Sequence, residues 1–62
     1  MDWMHQVLIE YVIKNQIRTS KENIKAVCDY AEKQGYNASI GLFCDALVAD
    51  SEILAILERG LL

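Results

Sequence analysis

Between residues 3 and 18, apolar side chains recur at helical spacing on two faces at once. Met4, Val7, Leu8 and Tyr11 form one stripe, with Trp3 and Val12 at its edges. Ile9, Ile13 and Ile17 form a second ladder at i, i+4, i+8, facing away from the first. The pattern predicts a helix capped by Asp2 and fading near Arg18. Gln6, Glu10 and Lys14 lie on its wetter side, with Glu10–Lys14 a favourable pair. A surface helix needs one apolar stripe. Two stripes call for cover on two sides, and in so short a chain the second cover is expected from another molecule.

Thr19-Ser20-Lys21-Glu22 reads as the next helix start. Thr19 and Glu22 have capping-box spacing, and Ser20 is the competing cap. A helix over 21–34 follows, with Ile24, Val27, Cys28 and Ala31 as its inner stripe. Lys25, Asp29, Glu32 and Lys33 fall on its wet side, with Asp29–Lys33 as a favourable pair. Gly35 stands where a left-handed closing residue belongs. Asn37 is the expected cap of a third helix whose inner stripe reads Ile40, Phe43, Cys44 and Leu47. Continued, that stripe would reach Ser51, Leu54, Ala55 and Glu58, whereas the apolar residues are Ile53, Leu54, Ile56 and Leu57. The phase slips, and Asp50-Ser51 is a capping pair at the slip. A break over 49–51 and a fourth helix over 51–59 are expected, one bent helix being the alternative. Gly60 would close that helix and Leu61 pack back on it. No strand alternation, Pro or internal repeat interrupts the pattern. The fold class is therefore all-α, a compact bundle of three to four short helices in a single domain, 1–62.

Composition adds a reason for company. Of 62 residues, 53% are apolar, above the usual share, and a small domain has little interior to hold them. For a chain of this size, burial contributes on the order of 90 kcal/mol and ordering costs on the order of 90 kcal/mol. Small chains so balanced lean on disulfides, a metal or a partner, and the apolar excess points to a partner, most simply a second copy in a homodimer. Net charge is −3, which does not suggest a nucleic-acid binder by default. Its distribution is uneven. Lys14, Arg18, Lys21 and Lys25 make a basic corner opposed only by Glu22, while Asp45, Asp50, Glu52 and Glu58 make the C-terminal half acidic. Two cysteines are no disulfide framework, the N-terminus lacks the basic flank of a signal peptide, and no apolar run is long enough to span a membrane. A cytoplasmic protein is expected.

Candidate chemistry is sparse. His5, Cys28 and Cys44 are far apart, and neither a Cys-x-x-Cys nor a His-x-x-x-His is present, so no metal or other cofactor is expected. Both cysteines fall on inner stripes, where a free thiol packs as a small hydrophobe. Nothing places a nucleophile or carboxylate beside His5, and no enzymatic activity is expected.

The run Ala31-Glu32-Lys33-Gln34-Gly35-Tyr36 before a new helix resembles the centre of a helix-turn-helix. That resemblance would make 37–48 the reading helix, yet it has no Lys or Arg, carries Asp45 and turns Leu42 outward, whereas DNA binding draws on cations. Gln34-Gly35-Tyr36, Ala46-Leu47 and Leu61-Leu62 loosely resemble the turn, centre and end of ubiquitin-associated-type modules, with too long a spacing between the first two. Such modules use turn aromatics and terminal leucines to hold a protein partner. The function expected is a small intracellular protein-interaction or regulatory module. It would self-associate through its first helix, with Trp3, Ile9, Ile13 and Ile17 as the seam. The alternative is a minimal DNA-associated regulator touching phosphates through Lys14, Arg18, Lys21 and Lys25.

Overall fold

Each helix starts at a side chain that takes up a free backbone N–H. In the computed structural model, which describes residues 2–61, an Asp2 carboxylate oxygen accepts from Met4 N at 3.3 Å and opens α1, Trp3–Lys14. Ser20, the competing cap, accepts from Asn23 N at 3.2 Å and opens α2, Lys21–Gln34. Ser39 accepts from Leu42 N at 3.1 Å and opens α3, Ile40–Ala49. Asp50 accepts from Glu52 N at 3.0 Å and opens α4, Ser51–Leu57. The expected break after Ala49 is therefore present, and the fold is all-helical with four helices. Gly35 closes α2 in the left-handed region at φ 83°.

Four expectations need correction. First, α1 stops at Lys14 rather than near Arg18. Gln16 enters the left-handed region at φ 54°, and the N–H groups of Gln16 and Ile17 reach back to Ile13 O and Val12 O at 3.1 and 2.9 Å. This is a Schellman closure built on a residue other than glycine, and it folds Ile17 back against the core beside Val12. Second, Thr19 caps nothing on α2. Its hydroxyl donates to Leu57 O at 2.6 Å instead. Third, Asn37 lies in a 3₁₀ turn, Tyr36–Ala38, so the cap moves on to Ser39 and α3 is rotated. Phe43, Ala46 and Leu47 face in, while Ile40 and Cys44, assigned to the inner stripe, are exposed. Fourth, α4 ends at Leu57, and the intrahelical ion pair on α2 is Lys25–Asp29, at 3.6 Å, rather than Asp29–Lys33.

The core gathers Met4, Leu8 and Val12 from α1, Val27 and Ala31 from α2, Phe43, Ala46 and Leu47 from α3, and Ile53, Ile56 and Leu57 from α4. Asn23 is the buried polar residue among them. Its amide nitrogen donates to Leu57 O at 3.0 Å and to Arg59 O at 2.8 Å. With Thr19, it takes up carbonyls that the end of α4 leaves without a helical partner. At the other end of α4, the Tyr30 and Tyr36 hydroxyls donate to one Asp50 carboxylate oxygen at 2.6 and 2.7 Å. Tyr11 ties α1 to α3 through a long bond to Leu47 O, 3.4 Å.

A lone copy is already well packed. Its accessible surface, 4261 Å², is near the roughly 4,000 Å² expected of a folded chain of this size. Its radius of gyration, 10.5 Å, matches the roughly 10.6 Å of a compact chain of this length. Among the described residues, no helix is long and apolar enough to cross a membrane.

Candidate functional site

A concavity of about 540 Å³ runs between α1 and α2. Ile9 from α1 and Ile24 and Cys28 from α2, all half-buried, give it an apolar floor, with His5 beside them. The helices flank it because α2 buries Val27 and Ala31 on its inner face and turns Ile24 and Cys28 sideways, while α1 does the same with Leu8 and Ile9. Charged residues make the rim. In order along α2 they are Lys21, Lys25, Asp29 and Glu32, and Asp2 joins the last two from the start of α1. The groove is thus cationic at one end and anionic at the other.

The electrostatics at Cys28 confirm which end is which. Burial pushes its thiol above the ordinary value, and the carboxylates of Asp2, Asp29 and Glu32 push in the same direction, opposed by Lys25. The shift favours the protonated thiol, and Cys28 packs half-buried against the core. Lys21 and Lys25 stand in the first turns of α2, where the helix dipole favours anions, and Glu32 stands near its end, where the dipole favours cations. On the groove side the charge order runs against what the helix alone prefers, while Glu22 in the first turn and Lys33 in the last, both off the rim, follow it.

The expected seam residues are distributed unevenly. Ile9 lies in the floor of the groove. Ile13, one turn further along α1, is 69% exposed. Ile17 is past the end of the helix, half-buried and packed on the core, so the three isoleucines do not form a continuous ladder. Trp3 is 36% exposed and sets its ring edge-to-face with Phe43, centroids 5.8 Å apart. It belongs to the α1–α3 contact, away from the groove. Of the basic corner, Lys14 ends α1, Arg18 lies in the link, and Lys21 and Lys25 form the cationic end of the groove, Lys25 already paired with Asp29.

A second apolar surface was not expected. Ile40 at 58%, Leu42 at 43% and Val48 at 81% exposure lie on the outside of α3, together with Cys44. Ile40, Cys44 and Val48 are spaced i, i+4, i+8, so they make one ladder. The signal for it was Asp45, the single charge of the helix, which marks only part of the wet side. This outer face offers no cation to a DNA backbone. Of the residues that resemble a ubiquitin-associated module, Tyr36 begins the 3₁₀ turn, Ala46 and Leu47 are buried, Leu61 is half-buried, and Leu62 lies outside the described residues.

The Asp50 cluster holds rather than reacts. The Tyr30 hydrogen bond, then that of Tyr36, and the N–H of Glu52 lower the carboxyl below its ordinary value, with burial opposing them. The hydrogen bond to Asp50, with burial and like charge adding to it, pushes Tyr30 up to about 12, and Tyr36 is raised for the same reason. Both phenols keep their protons and point them at the carboxylate. Among the described residues, no three His, Cys, Asp or Glu side chains gather to hold a metal ion. No family model matches the chain, and no curated protein and no solved structure matches it.

Proposed function

We propose that the chain is a non-enzymatic protein-interaction module of the cell interior that self-associates through the face of its first helix. The observation that supports this reading best is the α1–α2 groove, whose floor of Ile9, Ile24 and Cys28 continues outward to the exposed Ile13. An apolar floor with a charged rim is the form of a helix-binding surface. Trp3 and Ile17 act here as supports. Trp3 fixes α1 against α3, and Ile17 fixes the end of α1 against the core.

Sedimentation equilibrium over a concentration series tests the proposal. The expected result is a dimer that Ile13→Glu converts to a folded monomer, since Ile13 is largely exposed and its substitution costs the single copy little. Val48→Glu, on the outside of α3, is expected to leave the dimer intact. A wild-type chain that stays monomeric at high concentration overturns self-association. Loss of the dimer with Val48→Glu alone moves the interface to α3. The DNA reading predicts a duplex complex that weakens steeply with salt and with Lys21→Ala. We expect no such complex, because the cations lie at one end of an apolar groove and acids at its other end.

A further inference from the structure

Resting on that self-association, the order of charges along the groove fixes how two copies meet. We infer that two chains pair groove to groove about a two-fold axis, with their second helices antiparallel. The rim of α2 reads Lys21, Lys25, Asp29, Glu32 from its first turn to its last. Turned end for end, that order is its own complement. Lys21 and Lys25 of one copy face Glu32 and Asp29 of the other, and the reverse holds at the far end. A parallel pairing sets lysine against lysine and carboxylate against carboxylate, a cost that selects against it. A two-fold interface needs a surface complementary to itself, and this charge order supplies one.

Two further features point the same way. Within one copy the rim order gains nothing from the helix dipole, because Lys21 stands at its positive end and Glu32 near its negative end, the favourable charges Glu22 and Lys33 lying off the rim. The Lys25–Asp29 pair also has its cation on the N-terminal side, the weaker orientation, and both side chains are well exposed. Lys21 and Glu32 make no ion pair among the described residues. An antiparallel second copy gives each of these charges the partner its own helix does not. Ile13 stands one turn beyond Ile9, toward the cationic end, and the two-fold carries it over Cys28 and His5 of the other copy. There it fills a groove that would otherwise stay open.

Charge exchange between two variants tests the arrangement. Lys21→Glu/Lys25→Glu makes the rim wholly anionic, and Asp29→Lys/Glu32→Lys makes the α2 side of it wholly cationic, with Asp2 left on α1. At positions 21 and 32 the new charges are the ones the helix dipole prefers, and far-UV circular dichroism with thermal melts checks that each variant remains folded. Each variant alone should dimerise about tenfold or more weakly than wild type at low salt. The equimolar mixture should give a heterodimer, lost again at high salt. Orientation is read separately in a Cys28→Ser/Cys44→Ser background. Lys21→Cys mixed with Glu32→Cys should cross-link on oxidation, and Lys21→Cys alone should not. Wild-type dimers with variants that dimerise unchanged, or cross-linking of Lys21→Cys to itself, overturn the antiparallel arrangement and leave self-association standing. A monomeric wild type overturns both.

Discussion

Asn23 offers the sharpest test of what holds α4 in place. It is 8% exposed, and its two amide hydrogens go to Leu57 O and Arg59 O at 3.0 and 2.8 Å. Truncation to Ala removes both. Leu57 O keeps the Thr19 hydroxyl at 2.6 Å, and Arg59 is exposed, so water can reach its carbonyl. Neither acceptor is then stranded, and the loss is that of two net hydrogen bonds plus a small cavity, about 2–3 kcal/mol. A domain of this length has roughly 3–9 kcal/mol in all. The melting temperature should fall by roughly 10–20 °C, with an unchanged urea m-value. Asn23→Asp should be worse at neutral pH, because it keeps the shape and turns a donor into a charge facing two carbonyls. Thr19→Val alone should cost about 1 kcal/mol. Combined with Asn23→Ala it should cost more than the sum, since Leu57 O then loses both donors. Thermal and urea unfolding followed by circular dichroism at one protein concentration measures all four. An Asn23→Ala chain within about 0.5 kcal/mol of wild type, a change the size of an ordinary surface substitution, would refute the clamp.

Three other outcomes follow from single residues. Gln16 holds a left-handed φ of 54° without being glycine, so Gln16→Gly should stabilise by about 0.5–1 kcal/mol and raise the melting temperature by about 2–8 °C, while Gln16→Val lowers it. The Asp50 cluster should shape both ends of the pH profile. Its carboxyl is lowered in the folded state, so that stabilisation is full above the unfolded value and is lost as pH falls through the folded one. Tyr30 is raised to about 12, so its contribution is full below the unfolded phenol value and is lost as pH climbs toward 12. Melting curves from acid to alkaline pH should show Asp50→Asn flattening both arms; parallel curves for variant and wild type would count against the cluster. Finally, a thiol reagent should modify the exposed Cys44 quickly and the half-buried Cys28 slowly. A fast reaction that persists in Cys44→Ser would mean that Cys28 is open to solvent.

Much of the helical layout was legible in the sequence, and what was missed depended on contacts between elements. The bounds of α2 were readable because Gly35 stops it and an even spread of charges sets its phase. The end of α1 was not, because Gln16 gives no local sign that it will turn left-handed. That turn is set by the hydrophobic contact it allows, Ile17 on the core beside Val12. The two-stripe reading therefore counted as a rung of the seam a residue that shelters itself. The groove was half visible, since Ile9 of its floor and Lys21 and Lys25 of its rim were singled out, but the polarity of that rim needed two helices side by side.

The break at Asp50 was foreseen from a capping pair and a slip in phase, although the stripe from which the slip was measured was misassigned. With Ile40, Phe43, Cys44 and Leu47 as the inner stripe of α3, the next apolar residues looked out of phase. The stripe in the fold is Phe43, Ala46 and Leu47. Extended at helical spacing it would run through Asp50 to Ile53, Leu54 and Leu57, whereas α4 buries Ile53, Ile56 and Leu57 and leaves Leu54 exposed, so the inner face does change phase at the break. What an unbroken helix would do is carry the Asp50 carboxylate into the middle of its buried face. A charge there is costly unless it is paired. The chain breaks instead, and the same carboxylate caps α4 and accepts two phenols. The phase error also hid where the excess of apolar residues goes. Turned outward, Ile40, Cys44 and Val48 give α3 an exposed ladder, whereas of the three isoleucines read as a ladder on α1 only Ile13 is largely exposed. The comparison of Ile13→Glu with Val48→Glu therefore weighs two helix faces, and it asks whether the charged groove on α1 and α2 outweighs the larger but nearly uncharged surface on α3.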